Sequence, residues 1–210
     1  MDPKALFVDI EADAGKESDV AEFLRGALGP VQDEPDTRDW YALRFDPRHF
    51  AIFDTFPGNV GRLKHLLGEV GRALIVKTFT VLDGLPDIQP AQVLAAKLPV
   101  GERHPALTLH VPLRARPGQE EAVASLLTGA EQLVAAEPET LAWYALRLAH
   151  DRFAIVDFFA DETGRDAHLS GRVAAALMAN ATSLFTEPLE IRRGDVLASK
   201  AADRLQSSVA

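Results

Sequence analysis

The sequence predicts an α+β fold in which one β-α-β-β-α-α-β unit occurs twice in tandem. Three observations lead to this prediction. The second half repeats the first at a constant offset of 103 residues. Each copy alternates strand-like with helix-like hydrophobic patterns. The repeat is also far longer than the roughly 20–50 residues of a solenoid unit, so it has the size of a domain.

Several motifs return at this offset without a gap. Trp-Tyr-Ala-Leu-Arg occupies 40–44 and 143–147, and Phe-Ala-Ile-x-Asp-x-Phe occupies 50–56 and 153–159. About 37 of 93 aligned positions are identical, roughly 40%, which is far above chance for unrelated segments. The predicted boundaries are a first repeat over 1–98, a linker over 99–105, a second repeat over 106–200 and a C-terminal tail over 201–210.

The first half of the unit begins with a strand and a helix. Residues 5–11 alternate apolar with other side chains, which is typical of a strand. Residues 17–33 place apolar side chains at helical spacing, and the Glu34-Pro35 step ends that helix. A hairpin is predicted next, with strands over 38–45 and 50–56, because an Asp-Pro turn signal lies between two apolar, aromatic-rich runs.

The second half of the unit contains two helices and a last strand. Helices are predicted over 59–67 and 70–82, with a break near Gly68, and a final strand over about 88–95. The second copy repeats the same order from about 106 to 197. Because the strand 50–56 is apolar on both sides, we expect the two sheets to face each other. The chain should then be a monomer acting as an internal pseudo-dimer, or should associate only through other surfaces.

Composition excludes several kinds of partner and site. The chain has 210 residues, a formal net charge of -9 and no cysteine, which excludes disulfides, zinc-thiolate sites and a thiol nucleophile. Acidic residues are in excess in both halves and no Lys/Arg run occurs, so no nucleic acid and no anionic membrane surface is expected as a partner. With no signal-peptide pattern and no membrane-length apolar run, a cytoplasmic protein is expected.

The motifs resemble those of the antibiotic biosynthesis monooxygenase family. They are the Gly-Lys-Glu before the first helix, the Glu-Pro before the second strand, Trp-Tyr-Ala-Leu, Phe-x-Ile-x-Asp-x-Phe and the helical Arg-x-x-His-Leu. The resemblance covers both repeats. It implies two ferredoxin-like units joined as a single-chain dimeric α+β barrel, with a cavity between sheet and helices in each half. The activities it implies are oxygenation of phenolic polyketides, oxygenation of quinols and degradation of haem.

The haem-degrading branch fits least well. That branch resembles a pattern with an Asn on the first strand and a Trp and His ten residues apart on the helices. The first strands here have no Asn, and the helix positions carry His65 with Ile75 and His168 with Met178.

His65 and His168 are the candidate catalytic bases. Each follows a Gly-Arg lead on a short predicted helix, and a neutral imidazole there could take a proton from a phenol or quinol. Such a step suits cofactor-free oxygenation, because the substrate anion then gives an electron to dioxygen directly. The alternative is a structural histidine that packs the helix break before Gly68 and Gly171.

Arg44 and Arg147 end the Trp-Tyr-Ala-Leu strand and are candidate substrate-binding residues, with Asp54 and Asp157 on the neighbouring strand. The alternative is an ion pair at the end of the strands. A four-residue loop over 46–49 predicts that Arg44 pairs with Ala51, which would place Asp54 opposite Tyr41.

Trp40, Tyr41, Trp143 and Tyr144 are further candidates for substrate binding. Adjacent strand residues point to opposite faces, so only one of each pair can line a given cavity, and core packing is the alternative for all four.

No metal site and no cofactor is predicted, because the sequence has no metal-ligand spacing of histidines and no Gly-rich phosphate loop. The predicted function is a cofactor-independent monooxygenase of a small aromatic, phenolic or quinol compound. The alternative is a non-catalytic α+β barrel that binds a small apolar or aromatic metabolite or is purely structural.

Overall fold

A computed structural model describes residues 3–101 and 103–201 of the chain. Its strands form one closed, antiparallel barrel in the order β1-β3-β2-β8-β5-β7-β6-β4. The predicted α+β barrel is thereby confirmed. The predicted tail lies outside the described residues from 202 onward, and the repeat and linker boundaries stay predictions.

The first copy of the unit follows the predicted order of elements. Its bounds are β1 Lys4–Glu11, α1 Glu17–Gly26, α2 Leu28–Gln32, β2 Asp39–Arg44, β3 His49–Phe56, α3 Asn59–Leu66, α4 Glu69–Thr78 and β4 Asp87–Lys97. The second copy gives β5 Leu107–Arg114, α5 Glu120–Gly129, α6 Glu131–Ala135, β6 Thr140–Arg147, β7 Arg152–Phe159, α7 Glu162–Leu169, α8 Arg172–Leu184 and β8 Arg192–Lys200.

Two predicted helices differ from those observed. The helix predicted over 17–33 is interrupted at Ala27, between α1 and α2. The helix predicted over 70–82 ends at Thr78, because Leu82 leaves it to form an isolated bridge with Ala12. The apolar residues after 78 therefore belong to a turn rather than to a further helical turn.

The predicted hairpin register is wrong by one residue. Arg44 pairs with Phe50, not Ala51, because the turn takes in Phe45 to Arg48 and the strand begins at His49. Asp54 consequently lies opposite Trp40. Cross-strand partners share a face of the sheet, so the tryptophan and the aspartate point to the same side.

The compact units of the structure do not coincide with the two repeats. One unit runs to Gln92 and takes in the stretch that begins at Gly194, and the other runs from Val93 to Arg193. Most of β8 therefore belongs to the unit of the first repeat, where it pairs with β2. β4 begins beside β1 in that unit and ends in the other. We call the compact unit that runs to Gln92 the first unit, and the compact unit from Val93 to Arg193 the second unit.

Each unit has its own hydrophobic core between sheet and helices. In the first unit Trp40 and Phe56 pack with Val20, Leu24 and Val31, the last three from the helices. In the second unit Trp143 and Phe153 pack in the same way with residues of α5, α6 and α8. Each core holds its strands and helices in fixed positions, and the candidate site lies at the edge of it.

Candidate functional site

A histidine lies between two carboxylates in each unit. In the second unit, β7 supplies Asp157, α7 supplies His168, and the loop after α6 supplies Glu137. Nδ1 of His168 lies 2.5 Å from Oε2 of Glu137, and Nε2 lies 3.4 Å from Oδ2 of Asp157. The hydroxyl of Thr140 donates to the same Oε2 of Glu137 at 2.9 Å. The two ring nitrogens are thus directed to different carboxylates.

The first unit repeats this arrangement with a shorter aspartate contact. Nδ1 of His65 lies 2.6 Å from Oε2 of Glu34, and Nε2 lies 3.1 Å from Oδ2 of Asp54. Thr37 donates its hydroxyl to Glu34 at 2.6 Å. We call each group a His–carboxylate cluster. It consists of His65, Glu34, Asp54 and Thr37 in the first unit, and of His168, Glu137, Asp157 and Thr140 in the second.

Each cluster links a fully buried carboxylate to one that reaches solvent. The side chains of Asp54 and Asp157 are both 1% exposed, whereas those of Glu34 and Glu137 are 23% and 20% exposed. The histidine between them is buried in both units. The cluster therefore forms a polar connection from the inside of the unit to its surface.

Burial and the neighbouring charges shift the protonation of the clusters. Burial raises the pKa of the Asp157 carboxyl to about 7, with the charge of His168 opposing the shift. In the first unit burial likewise raises the pKa of Asp54, against the contact with His65. Burial lowers the pKa of His65, but Asp54 and Glu34 outweigh it and raise this pKa to about 9. His65 is therefore a cation at neutral pH, and Asp157 is close to its titration midpoint.

The second unit has a cavity at its cluster. Asp157 and His168 line it together with apolar side chains of β5, α8 and the segment before β8, and its volume is about 40 Å³. That is room for roughly three waters, at the usual allowance of about 10–15 Å³ each. Met178 and Ile191, both largely exposed, lie at its rim. The buried carboxylate is thus one of the few polar groups in an apolar cavity.

Buried polar atoms without hydrogen-bond partners lie on the face of the sheet that carries the clusters. In the first unit, Oδ1 of Asp54 and the indole nitrogen of Trp40 are buried without a hydrogen-bond partner among the described residues. In the second unit, the same holds for Oδ1 of Asp157 and the indole nitrogen of Trp143. The two residues of each unit are cross-strand partners, so they share a face. Buried polar atoms without partners are uncommon in native structures and call for a water or a ligand.

A glycine makes room for the glutamate of each cluster. A Cβ at Gly171 would lie 2.9 Å from Oε1 of Glu137 and 3.0 Å from the carbonyl oxygen of His168, and a Cβ at Gly68 would lie 3.2 Å from Oε1 of Glu34. The repeated glycine after the His-Leu step thus lets the carboxylate approach the end of the helix that carries the histidine.

The strands β8 and β4, which complete the first and the second unit respectively, also hold the loops that contain Glu34 and Glu137. In the first unit the ammonium of Lys200, on β8, donates to the carbonyl oxygens of Val31 and Glu34, each at 2.7 Å. In the second unit Lys97, on β4, donates to the carbonyl oxygens of Val134 and Glu137. The main chain of each cluster glutamate is therefore fixed by a lysine of the strand that completes its unit.

The structure brings some of the predicted site residues together and separates others. His65 meets Asp54, and His168 meets Asp157, as described above. Trp40 and Trp143 are fully buried in the two cores. Tyr41 stacks on Phe53 with ring centroids 6.1 Å apart, and Tyr144 meets Phe158 edge-on at 6.3 Å. Because they alternate with the tryptophans along the strand, both tyrosines lie on the face opposite the clusters.

The two strand-end arginines do not meet the aspartates. Arg44 lies over the ring of Phe50 and donates to the carbonyl oxygen of Asp46. Arg147 lies over Phe153 and forms an ion pair with Glu121 at 2.7 Å. These contacts of both arginines are at the turn end of the hairpin, and none of them is to His65 or His168.

Sequence reasoning did not identify the glutamates and threonines of the clusters as site residues. Glu34 and Glu137 were noted only as part of the repeated Glu-Pro step, and Thr37 recurs as Thr140. A charged loop residue retained at the same position in both copies was the available signal, because loops normally vary more than the elements they join.

His110, which replaces Phe7 of the first copy, does not line the described cavity. Its neighbours Leu109 and Val111 do, so the imidazole points to the other face of β5. Burial lowers its pKa to about 3, with Arg192 adding to the shift, and Nη1 of Arg192 lies 3.3 Å from its Nδ1. The neutral ring accepts a hydrogen bond from the guanidinium.

Two features are absent from the described part of the chain. Over residues 3–101 and 103–201, no group of three or more His, Asp or Glu side chains has the arrangement of a metal site. Over the same residues, every helix is too short or too polar to cross a membrane.

Several solved structures resemble this chain over most of its length at low sequence identity. No protein-family model matches it, and no curated protein is similar to it. A proposed monooxygenase from Fusobacterium nucleatum matches with a TM-score of 0.79 over 97% of this chain and 96% of its own, at 13% identity. An anthrone oxidase-like protein matches with a TM-score of 0.68 over 100% of this chain and 97% of its own, at 10% identity. A ferredoxin-fold protein from Listeria monocytogenes is related to antibiotic biosynthesis monooxygenases. It matches with a TM-score of 0.56 over 93% of this chain and 95% of its own, at 9% identity.

Proposed function

We propose, from the premise that this chain has the ferredoxin-like barrel fold of proteins related to antibiotic biosynthesis monooxygenases, that it is a cofactor-independent monooxygenase of a small phenol or quinol. The second unit would hold the working site. The observation that carries the proposal is the buried carboxylate of Asp157, whose Oδ1 has no partner among the described residues and whose side chain lines the cavity.

Asp157 suits the role of a general base for a weakly acidic hydroxyl. A pKa near 7 leaves a large fraction of the carboxyl ionised at neutral pH and still basic enough to accept a proton. His168 holds the other oxygen of this carboxyl and contacts Glu137, which reaches solvent. Asp157 and His168 would take the proton from the substrate, and Glu137, which reaches solvent, would pass it to water.

The oxygenation itself balances without an added reductant. The phenolate or quinolate left by proton transfer gives an electron to dioxygen, and the two radicals combine at a ring carbon. For a quinol, one oxygen atom stays on the ring as the product becomes a hydroxyquinone, and the other leaves as water. All four electrons that dioxygen accepts come from the substrate.

The first unit suits this role less well. His65 is held as a cation between two carboxylates, which fits a structural ion cluster better than a base. The cavity of the second unit is smaller than an aromatic ring, so a ring that enters it would displace lining side chains, among which Met178 is exposed and unbranched and moves at low cost. Fusion of two copies leaves one cluster free to serve stability and the other chemistry.

The test is oxygen uptake with a panel of quinols, comparing Asp157→Asn with the matched variant Asp54→Asn. Loss of a general base costs about 10²–10⁴-fold in rate, so Asp157→Asn should lose at least ~100-fold while Asp54→Asn stays within a few-fold of wild type. Wild-type activity should rise with pH through about 7, as Asp157 loses its proton.

Other outcomes would contradict the proposal in distinct ways. If each variant halves the activity, both units turn over. If neither variant changes it, both clusters are structural. Saturable binding of quinols without oxygen uptake would identify a binding protein, and a thermal melt of each variant separates loss of the fold from loss of the base.

A further inference from the structure

The outward faces of α3 and α4 carry large apolar side chains that the rest of the described chain leaves uncovered. Along α3, Val60, Leu63 and Leu67 recur at three- and four-residue spacing and are 70%, 57% and 66% exposed. At the end of α4, Val76 and Phe79 are 64% and 81% exposed. With Ile75, these residues form what we call the α3–α4 surface.

The second copy shows that the fold does not need this surface. The helices α7 and α8 are built at the same positions of the repeat, 103 residues later. The corresponding residues are mostly small or polar, namely Thr163, Asp166, Ser170, Met178, Ala179 and Thr182. The apolar side chains of the first copy therefore serve something other than the folding of the unit.

The size of the α3–α4 surface fits a protein interface. At roughly 100 Å² of exposed surface per residue, its six residues present roughly 600 Å², at the upper end of the largest patch on an ordinary monomer. One partner in a standard protein interface contributes about 800 Å², so this surface supplies most of what one side needs.

The charges around the α3–α4 surface limit the kinds of partner that could bind to it. The two helices carry Arg62, Lys64, Arg72 and Lys77 against Glu69, a local excess of three positive charges. Lys64 is already paired with Asp36 at 3.0 Å, and Lys77 lies over the ring of Phe23. The chain as a whole carries -9, which opposes an anionic bilayer. Apolar contact is thus the dominant attraction that the surface offers.

We propose that the α3–α4 surface is the contact through which two copies of this chain associate as a symmetric dimer. A two-fold arrangement lets the same apolar stripe cover itself, so one surface serves both sides of the contact. The residual positive charges then face each other, and their repulsion makes association stronger as salt screens it. The α3–α4 surface consists of residues of the first unit, whereas the residues that line the described cavity belong to the second unit.

Sedimentation equilibrium of the full chain tests this. Wild type should approach twice the mass of one chain at tens of micromolar, and more completely at 500 mM than at 50 mM salt. The triple variant Leu63→Asp, Leu67→Ser, Phe79→Thr takes its residues from the second copy, where the same fold accepts them. It should raise the dissociation constant at least tenfold with an unchanged thermal melt. Val100→Thr, which alters an exposed apolar residue of the linker, is the control.

Three results would overturn the proposal. Wild type could remain at one chain mass up to ~100 μM. The triple variant could associate as tightly as wild type, which would place the contact elsewhere. Wild type could instead bind vesicles containing anionic lipid in a way that salt weakens and the triple variant abolishes, which would assign the surface to a membrane.

Discussion

The two clusters differ at the atom that faces the buried aspartate. Nε2 of His65 lies 3.1 Å from Asp54, whereas Nε2 of His168 lies 3.4 Å from Asp157. A shorter separation in a buried setting strengthens the attraction between a protonated imidazole and a carboxylate. The first cluster is thereby closer to a fixed ion pair than the second.

The ion pair at His65 makes stability depend on pH. The pKa of His65 is about 9 in the folded chain and 6.5 as its ordinary value, so the folded state binds the extra proton between these values. The stabilisation is fully present below pH 6.5 and is lost as the pH rises through 9. Over that window it amounts to at most about 3–4 kcal/mol, at about 1.4 kcal/mol for each unit of pKa.

Urea unfolding between pH 6 and 9.5 measures this effect. Wild type should lose stability across the window, and His65→Gln should lose much less. His150→Gln removes an exposed imidazole and serves as the control for losing a histidine. A wild type and a His65→Gln variant with parallel pH dependence would show that His65 is not held as a cation.

At the scale of elements, the two helix pairs differ in how closely they approach. A Cβ at Gly71, in α4, would lie 2.2 Å from the carbonyl oxygen of Leu66 at the end of α3. The second copy has Ala174 at this position, and its methyl group lines the cavity. The close approach of the helices in the first unit thus requires glycine, whereas the second unit accommodates a side chain beside its cavity.

Gly71→Ala should therefore destabilise the first unit. The conflict is with main-chain atoms, which cannot swing away, and overpacking of this kind costs about 1–3 kcal/mol. Gly26→Ala, at the end of α1 where a Cβ would meet nothing within 4 Å, is the matched control and should be neutral or slightly stabilising. The midpoint of urea unfolding compares the two. Equal midpoints would contradict the close approach.

The periodicity of the sequence predicted most elements, because alternating and helical patterns report which faces are buried. The order of strands and helices follows from such local patterns, whereas the contact of His65 with Asp54 was not predicted, because it joins a helix to a strand. The register did not follow, since the predicted turn over 46–49 and the observed turn over 45–48 have the same length, and the pattern does not decide whether Phe45 or His49 belongs to the turn. Glu34 and Glu137 lie in loops, where no periodicity exists to assign them.

At the scale of the whole molecule, β8 completes the unit of the first repeat. It pairs with β2 from Trp40 to Arg44, and Leu197 and Ala198 pack against the first core. Deletion of residues after Arg193 would remove that strand, its apolar contacts and the lysine that holds the loop of Glu34. The repeat boundaries read from sequence follow duplication of the gene, whereas the compact units follow the pairing of strands.

A chain ended at Arg193 should consequently lose the first unit selectively. Hydrogen exchange should show the amides of β2 and β3 unprotected, while β6 and β7, which are not neighbours of β8 in the barrel, retain more of their protection. A chain ended at residue 201 keeps β8 and is the matched control. Intact protection of β2 in the shorter chain would show that the first unit does not need β8.

The pairing of β2 with β8 also orders events during synthesis of the protein. Residues of β2 leave the ribosome long before their partner exists, because about 150 residues separate Arg44 from Asp195. At about 5–20 residues per second, the first unit waits roughly 10–30 s with one strand edge bare. A bare edge is a template for pairing with other chains, so the nascent first half is the stage at which this protein is most exposed to aggregation and most in need of a chaperone.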